Sequence, residues 1–490
     1  MVNVLANNGF GTVISENGMA YTWAENSHEY RLTPWYNDPV TDSSGETMYL
    51  RDEETGHFWS PTPLTSSESE IYLSRHGFGY SVFEHNEGGI VTELWVYVAL
   101  DASVKFSVLK IRNETERSCK LSATSYVEWV LGDMRNKTSM HINTSADLNS
   151  SVIYAANPYN TDYARRVAFL QTDDTSCSIT CDRTEFIGRN GTLKKPAAML
   201  HSRLSGRKGE AYDPCAAIQV NFELAAGMGR EIIFRLGTGR NLEDANNIIR
   251  RFRGSAPALS ALEAVWQYWN HTLGAVQIET PDSSINVLAN GWLLYQTLAC
   301  RIWARSGYYQ SGGAYGFSDQ LQDIMALINT RPDILREHLI LFSSRQFPEG
   351  DVQHWWHPPV GRGVRTHCSD DYLWLPLATC RYVLSTGDTG VLDEQIRFLE
   401  GRLLNPDDDS YYDLPNLSEE KSSLYDHCKL SILHGLRFGE HGLPLIGTCD
   451  WNDGMNKVGN LGKGESVWLG FFLFEVLTQF IKVALLRGDS

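Results

Sequence analysis

The 490-residue chain is long enough for two or three domains rather than one core, and its 42% hydrophobic content is ordinary for a soluble globular protein. A formal net charge of −17 argues against a nucleic-acid binder, whose affinity rests on Lys and Arg against phosphates, and against docking on an anionic membrane surface. Nine cysteines without a Cys-x-x-Cys pair indicate neither a disulfide scaffold nor a zinc site, and the opening Met1-Val-Asn-Val-Leu has no signal-peptide pattern, so a reducing cytoplasm is expected.

Residues 1–254 read as β. Short apolar alternations recur between Gly, Asn, Asp and Ser breaks. Ile218-Gln-Val-Asn-Phe-Glu-Leu224 alternates strictly, and Val104, Phe106 and Val108 repeat the pattern. Many close strands without helices between them predict a large antiparallel β-sandwich. Leu259, Leu262, Trp266 and Trp269 then fall at helical spacing, and residues 255–281 read as a helical linker with an extended end. Beyond it Ile285, Leu288, Trp292, Tyr295 and Ala299 make one apolar stripe. Further helices are expected over 319–329, 332–345, 370–386, 390–403, 419–437 and 465–487, so that residues 282–490 form the first part of an (α/α)6 barrel. The fold class is therefore α+β and multidomain. Glu475, Gln479 and Lys482 interrupt the last apolar helix, which reads as a buried barrel helix rather than a membrane span. Arg487-Gly-Asp-Ser490 reads as a helix end, and six or seven helices after residue 282 fall short of twelve, so an incomplete barrel is expected.

Three loops carry chemistry. In Tyr308–Asp323, glycines permit tight turns, and Asp319 and Asp323 lie four apart on one helical face. Asp319 near a helix start is either a cap or a ligand group; Asp323, deeper in the segment, calls for a partner or a ligand. In the second loop, His354, Trp355, Trp356 and His357 form a Pro-bounded cluster suited to stacking on sugars and hydrogen bonding their hydroxyls. The two histidines suggest a metal, but Pro358-Pro359 opposes a metal-ligand helix, and no metal is expected. Arg362 and Arg365 either hold phosphate or pair with Asp370 and Asp371. In the third loop, Asp450 and Asp453 bracket Trp451 and Asn452. Glycosidic cleavage needs an acid to protonate the leaving oxygen, and an adjacent aromatic can raise a carboxyl pKa by desolvation. Asp450 reads as structural. An inverting hydrolase needs a second carboxylate as base, whereas a phosphorylase does not, because phosphate is already the nucleophile.

Asp450-Trp-Asn-Asp-Gly-Met-Asn456, Gly462-Lys-Gly-Glu-Ser-Val-Trp-Leu469, Tyr315-Gly-Phe-Ser-Asp-Gln-Leu-Gln-Asp323 and Gln353-His-Trp-Trp-His-Pro-Pro359 together resemble glycoside hydrolase family 94. That family holds cellobiose, cellodextrin, chitobiose and 1,2-β-oligoglucan phosphorylases and the C-terminal region of cyclic β-1,2-glucan synthases. The runs from Tyr21 to Pro39 and from Arg75 to Phe83 look like the synthase-associated branch. The resemblance implies a β-sandwich, a helical linker and an (α/α)6 barrel. It also implies inverting phosphorolysis of a β-linked gluco-oligosaccharide to α-glucose 1-phosphate and the reverse synthesis. Inorganic phosphate would be the co-substrate, with no cofactor, and a homodimer is the expected assembly. It makes Asp453 the general acid and sets Trp451 against the cleaved sugar. It has Asp323 hydrogen-bond the sugar hydroxyls; from their own loops Gln322, His354, Asp371, Trp355 and Trp356 are the further candidate sugar contacts, and Arg362 and Arg365 the candidate phosphate contacts. Relatives usually carry Arg where this chain has Ser318, and Gly where it has Cys449. A hydrolase on the same barrel and a catalytically silent glucan-binding module are the alternatives.

Overall fold

The structure, a computed structural model, describes residues 1–65, 71–209, 213–405 and 408–489. Two compact units emerge: residues 1–271 with 303–313, and residues 272–302 with 314–490.

In the first unit every named strand pairing is antiparallel, as expected. An eight-stranded sheet runs in the order Asn143–Asp147, Val152–Ala156, Val167–Thr172, Gly229–Gly239, Val104–Asn113, Ile90–Val98, Tyr80–Glu87 and Tyr72–Gly77. A five-stranded sheet is centred on Pro214–Leu224 and Cys119–Glu128, and a third sheet holds the first three strands. Ile218, Val220, Phe222 and Leu224 fill the core as their alternation predicts. The opposite face is less wet than expected, because Gln219 is also fully buried. Its Oε1 accepts from Ser178 Oγ at 3.0 Å and its amide donates to Ser122 Oγ at 3.4 Å. The core also contains Lys105, paired with Glu46, whose Oε1 accepts from Thr22 and Thr33 at 2.6 and 2.7 Å. The buried charges are thus paired and hydrogen-bonded. Tyr308–Gly313, the start of the first predicted chemical loop, packs with this unit: Trp35 Nε1 donates to the Tyr308 carbonyl at 2.8 Å and Asn26 Nδ2 to that of Gly313 at 3.2 Å.

The second unit is built around the helix Asp371–Thr386, of which twelve of sixteen residues are buried. Phe317–Met325, Pro332–Ser343, Leu424–Gly435 and Val467–Arg487 all pack against it. Two expected helices differ. Residues 390–403 hold a 3-10 turn, Thr389–Asp393, and a strand, Gln395–Glu400; residues 419–423 belong to the strand Asn416–Ser423 that pairs with it. Ile396 and Phe398 are buried with Gln395 and Arg397 exposed, a period of two that the buried Leu399 and the adjoining Val391 and Leu392 disguise as helical spacing. The stripe after Ile285 is interrupted by π-helical turns at Leu288–Trp292 and Thr297–Ala304; Tyr295 and Ala299 are buried whereas Ile285 and Leu288 are half exposed. The last helix ends on Gly488 in the left-handed region; Ser490 lies outside the described residues. It was expected to be buried, yet Phe471, Phe474, Ile481, Leu485 and Leu486 are exposed. Val467–Arg487 is long and apolar enough to cross a membrane by length and composition alone, with 28% of its most apolar window buried.

Candidate active site

The site grows from a hairpin, a helix start and a loop of the second unit. Gln353–His357 pairs antiparallel with Arg362–Thr366. Pairing steps from Gln353↔Arg365 to Trp355↔Val364, so His354 is the extra residue of a β-bulge, the device that re-aims a side chain out of strand alternation. The partner strand approaches closely at Gly363, where a Cβ would stand 2.1 Å from the Trp355 carbonyl oxygen.

His354 Nδ1 donates to Asp371 Oδ2 at 2.8 Å, and its Nε2 lies 3.9 Å from Asp453 Oδ2. Burial pulls this imidazole down, but Asp371, with Asp453 and Asp370 behind it, overrides that and raises its pKa to about 9. At neutral pH it is an imidazolium. Asp371 opens its helix, where the N-terminal dipole favours an anion. Burial nevertheless raises its carboxyl pKa, and among the described residues its Oδ1 is buried without a hydrogen-bond partner. Asp370, buried beside it, is pushed up to about 7, by desolvation first and the Asp371 charge second; Trp374 Nε1 donates to its Oδ2 at 2.9 Å.

Asp453 begins a 3-10 turn capped by Asn452, whose Oδ1 accepts from Gly454 N at 3.1 Å. Asp450 is the structural member of the pair, as expected: buried, it accepts from Asn452 N at 3.2 Å and from Ser466 Oγ at 2.7 Å. Ser466 in turn caps the last helix. Cys449, four residues before Asp453, forms a disulfide with Cys368, a bond not expected from the spacing. Around it Ser369 N donates to the Cys449 carbonyl at 2.9 Å and Thr448 N to that of His367 at 3.1 Å. The proposed acid is open to solvent, its side chain 73% exposed, and Trp451 is 61% exposed beside it.

Phe317–Met325 packs against the Asp371 helix and carries Asp319 and Asp323. Asp319 does not cap that helix, since Gly316 holds the N-cap. Arg301, from the second π-helical segment, donates to Asp323 Oδ2 at 2.7 Å and lies 3.5 Å from Asp319. Burial raises the Asp323 pKa against the lowering pull of Arg301. Gln322 is exposed and donates to the Ser318 carbonyl at 3.3 Å.

Three expectations need correction. Trp356 is fully buried: it packs on Tyr315, Phe342 and the Arg345 guanidinium with 5.0–5.4 Å separations, so it is core and not a sugar platform. Strand geometry turns Trp355 the other way, half buried, 5.5 Å from Tyr412. Arg365 is not a phosphate ligand; it is buried, bound through Nε and NH2 to Asp351, 2.6 Å each, and to Glu349 and the Arg402 carbonyl. Its salt-bridge partners are not Asp370 and Asp371. Arg362 stays exposed on the same strand. Sequence reasoning missed Arg301, which stands in no motif, and the pairing of Cys449 with Cys368, since the departure at Cys449 does not reveal its partner.

Two family models match the chain: "Glycosyl hydrolase 94, supersandwich domain" over residues 1–255 and "Glycosyl hydrolase 94 superfamily, catalytic domain" over residues 268–490. Cyclic beta-(1,2)-glucan synthase NdvB of Rhizobium meliloti (strain 1021) is 39% identical over all of this chain and 17% of its own length. N,N'-diacetylchitobiose phosphorylase of Vibrio proteolyticus is 26% identical over 100% of this chain and 62% of its own. The 3-O-beta-D-glucopyranosyl-beta-D-glucuronide phosphorylase of Paenibacillus borealis is 26% identical, over 100% and 60%. The chain thus spans less than two thirds of these relatives.

Proposed function

The chain belongs to glycosyl hydrolase family 94, and from that premise we propose that its second unit acts in inverting phosphorolysis of a β-linked gluco-oligosaccharide, alone or as the module of a cyclic β-1,2-glucan synthase. The observation that carries this reading is the convergence of Asp453, His354 and Asp371. Asp453 gives its proton to the glycosidic oxygen as that bond breaks, while a phosphate oxygen attacks the anomeric carbon from the opposite face. The β-glucoside becomes α-glucose 1-phosphate, and the proton returned to Asp453 comes ultimately from the phosphate. The imidazolium of His354, held by Asp371, faces the carboxylate formed by proton donation and balances its charge. Trp451 and Trp355 offer stacking faces, and Asp323 and Gln322 offer hydroxyl contacts. Arg362 is the phosphate contact that remains from the sequence reading. We place the enzyme in the cytoplasm, without membrane insertion and as a homodimer.

Ser318 favours a second reading, since no guanidinium arises at the position where relatives usually carry one: a silent glucan-binding module. The test is to incubate the full-length protein with β-1,2- and β-1,4-gluco-oligosaccharides, with and without phosphate, and to measure glucose 1-phosphate and glucose. Phosphate-dependent glucose 1-phosphate is expected. Phosphate-independent glucose identifies a hydrolase, and binding without turnover identifies the silent module.

A further inference from the structure

We propose that Cys368 and Cys449 are a reversible thiol-oxidation site whose bridged state holds the Asp453 loop in its working position. The two residues stand 81 apart in sequence with Cα atoms at 4.6 Å, and each is only 3% exposed. They join two segments that both feed the site. Cys368 precedes Asp370 and Asp371 at the helix start, and Cys449 precedes Trp451 and Asp453. The bridge also touches the chemistry. Cys449 Sγ lies 3.9 Å from Asp453 Oδ1, and the Cys368 sulfur lies within 4.8 Å of ligand atoms of both His354 and Asp371.

The remaining cysteines among the described residues are unbridged, and burial raises the thiol pKa of Cys181, Cys215, Cys300, Cys380 and Cys428, which makes them poor nucleophiles. Cys119 and Cys177 are free as well, Cys177 partly buried, so what sets Cys368 and Cys449 apart is their bond and its place beside Asp453 and Asp371. In a reducing compartment such a bond is characteristically transient and redox-sensing rather than structural.

Reduction is a two-electron exchange. One thiolate of a dithiol attacks a sulfur of the bridge to form a mixed disulfide. That attack releases the partner cysteine as a thiolate, and the dithiol's second thiol then expels the cysteine held in the mixed disulfide, leaving two protein thiols and the dithiol oxidised to its own disulfide. A small disulfide reverses the step. The physical consequence follows from size. Bonded sulfurs stand about 2 Å apart, whereas unbonded heavy atoms in contact need roughly 3.5–4 Å. Both side chains are buried, so the roughly 1.5–2 Å increase in sulfur separation must come from side-chain rotation, movement of the segments or both. Backbone contact already binds them tightly: a Cβ on Gly447 would lie 2.0 Å from the His367 carbonyl oxygen. Displacing a catalytic group by about 1 Å can cost on the order of 100-fold in rate.

The kinetic part of the test rests on the proposed phosphorolysis; the structural part does not. The air-isolated protein, denatured without reductant, should show seven titratable thiols of the nine in the sequence, and nine after dithiothreitol. Reduction should lower kcat by roughly 10- to 100-fold, reversibly with oxidised glutathione. It should also speed hydrogen exchange in the peptide 445–458. The Cys368→Ala/Cys449→Ala protein should lose the response to dithiothreitol; if that variant does not fold, the wild-type reduction cycle decides alone. Nine thiols before reduction overturn the proposal. So does reduction that opens the bond yet changes neither kcat nor exchange, or one that only lowers the melting temperature. An oxidised enzyme with no turnover defeats the proposed function instead, and exchange and thiol counts then decide this inference.

Discussion

Asp371→Asn should convert His354 from a charged into a neutral ring without changing the shape of the site. Asn fits the same space and can accept the Nδ1 hydrogen bond, but it carries no charge. In the wild type His354 has a pKa of about 9, raised by Asp371 above all its other neighbours and against the effect of burial. Once that charge is gone, burial is opposed only by the Asp453 and Asp370 carboxyls and the pKa falls. At pH 7 the neutral fraction then rises from about 1%, with a ceiling of about 100-fold when the ring is fully neutral. Diethyl pyrocarbonate modifies only neutral imidazole, and residue-resolved mass spectrometry reads the rate at His354 separately from the other histidines. The variant should react severalfold or more faster at pH 7, and the difference should nearly vanish by pH 9.5. Equal rates at pH 7 in both proteins would refute the claim that Asp371 charges this ring.

Asp453→Asn should leave the fold intact and lower phosphorolysis by about 10²–10⁴-fold, the usual contribution of one proton donor; initial rates of glucose 1-phosphate formation check it. Gly447→Ala should destabilise the second unit by about 1–3 kcal/mol, because its φ of +64° and the His367 carbonyl both oppose a side chain; denaturant unfolding followed at the Trp-rich unit reads the loss. Asp370 has a folded pKa of about 7 against 3.8 for the ordinary group, so its stabilisation is complete below about 3.8 and is lost as pH rises through 7. Asp370→Asn should therefore flatten the fall of the melting temperature between pH 4 and 7.5, with calorimetry as the measure. An identical slope in both proteins would show that Asp370 does not titrate in that window.

The sandwich was legible because alternation is a local signal: Val104, Phe106 and Val108 are buried where their period of two puts them. The strand Gln395–Glu400 was misread because Leu392, Ile396 and Leu399 fall at helical spacing, whereas the period of two rests on Ile396 and Phe398 alone. Asp453 and its loop were found through motifs. The roles within the second loop were not, because a bulge decides them. With His354 inserted, Trp356 turns into the core and Trp355 away from it, and no propensity encodes that register. Arg365 was assigned to the wrong anions because its partners, Asp351 and Glu349, lie in the loop before the hairpin rather than in the acidic pair that follows. The cysteine bridge and Arg301 depend on contacts between segments far apart in sequence, which composition does not reveal.

The outward side of Val467–Arg487 has a practical bearing on every measurement above. Phenylalanines 71% and 75% exposed, with Ile481, Leu485 and Leu486 along the same helix, form a strip that water wets poorly. Left uncovered, such a strip brings molecules together as concentration rises and favours adsorption to plastic and air interfaces. A mild surfactant or micromolar dilution should sharpen sedimentation profiles and raise specific activity, so assay concentration is a variable to control before any mutant is compared with its parent.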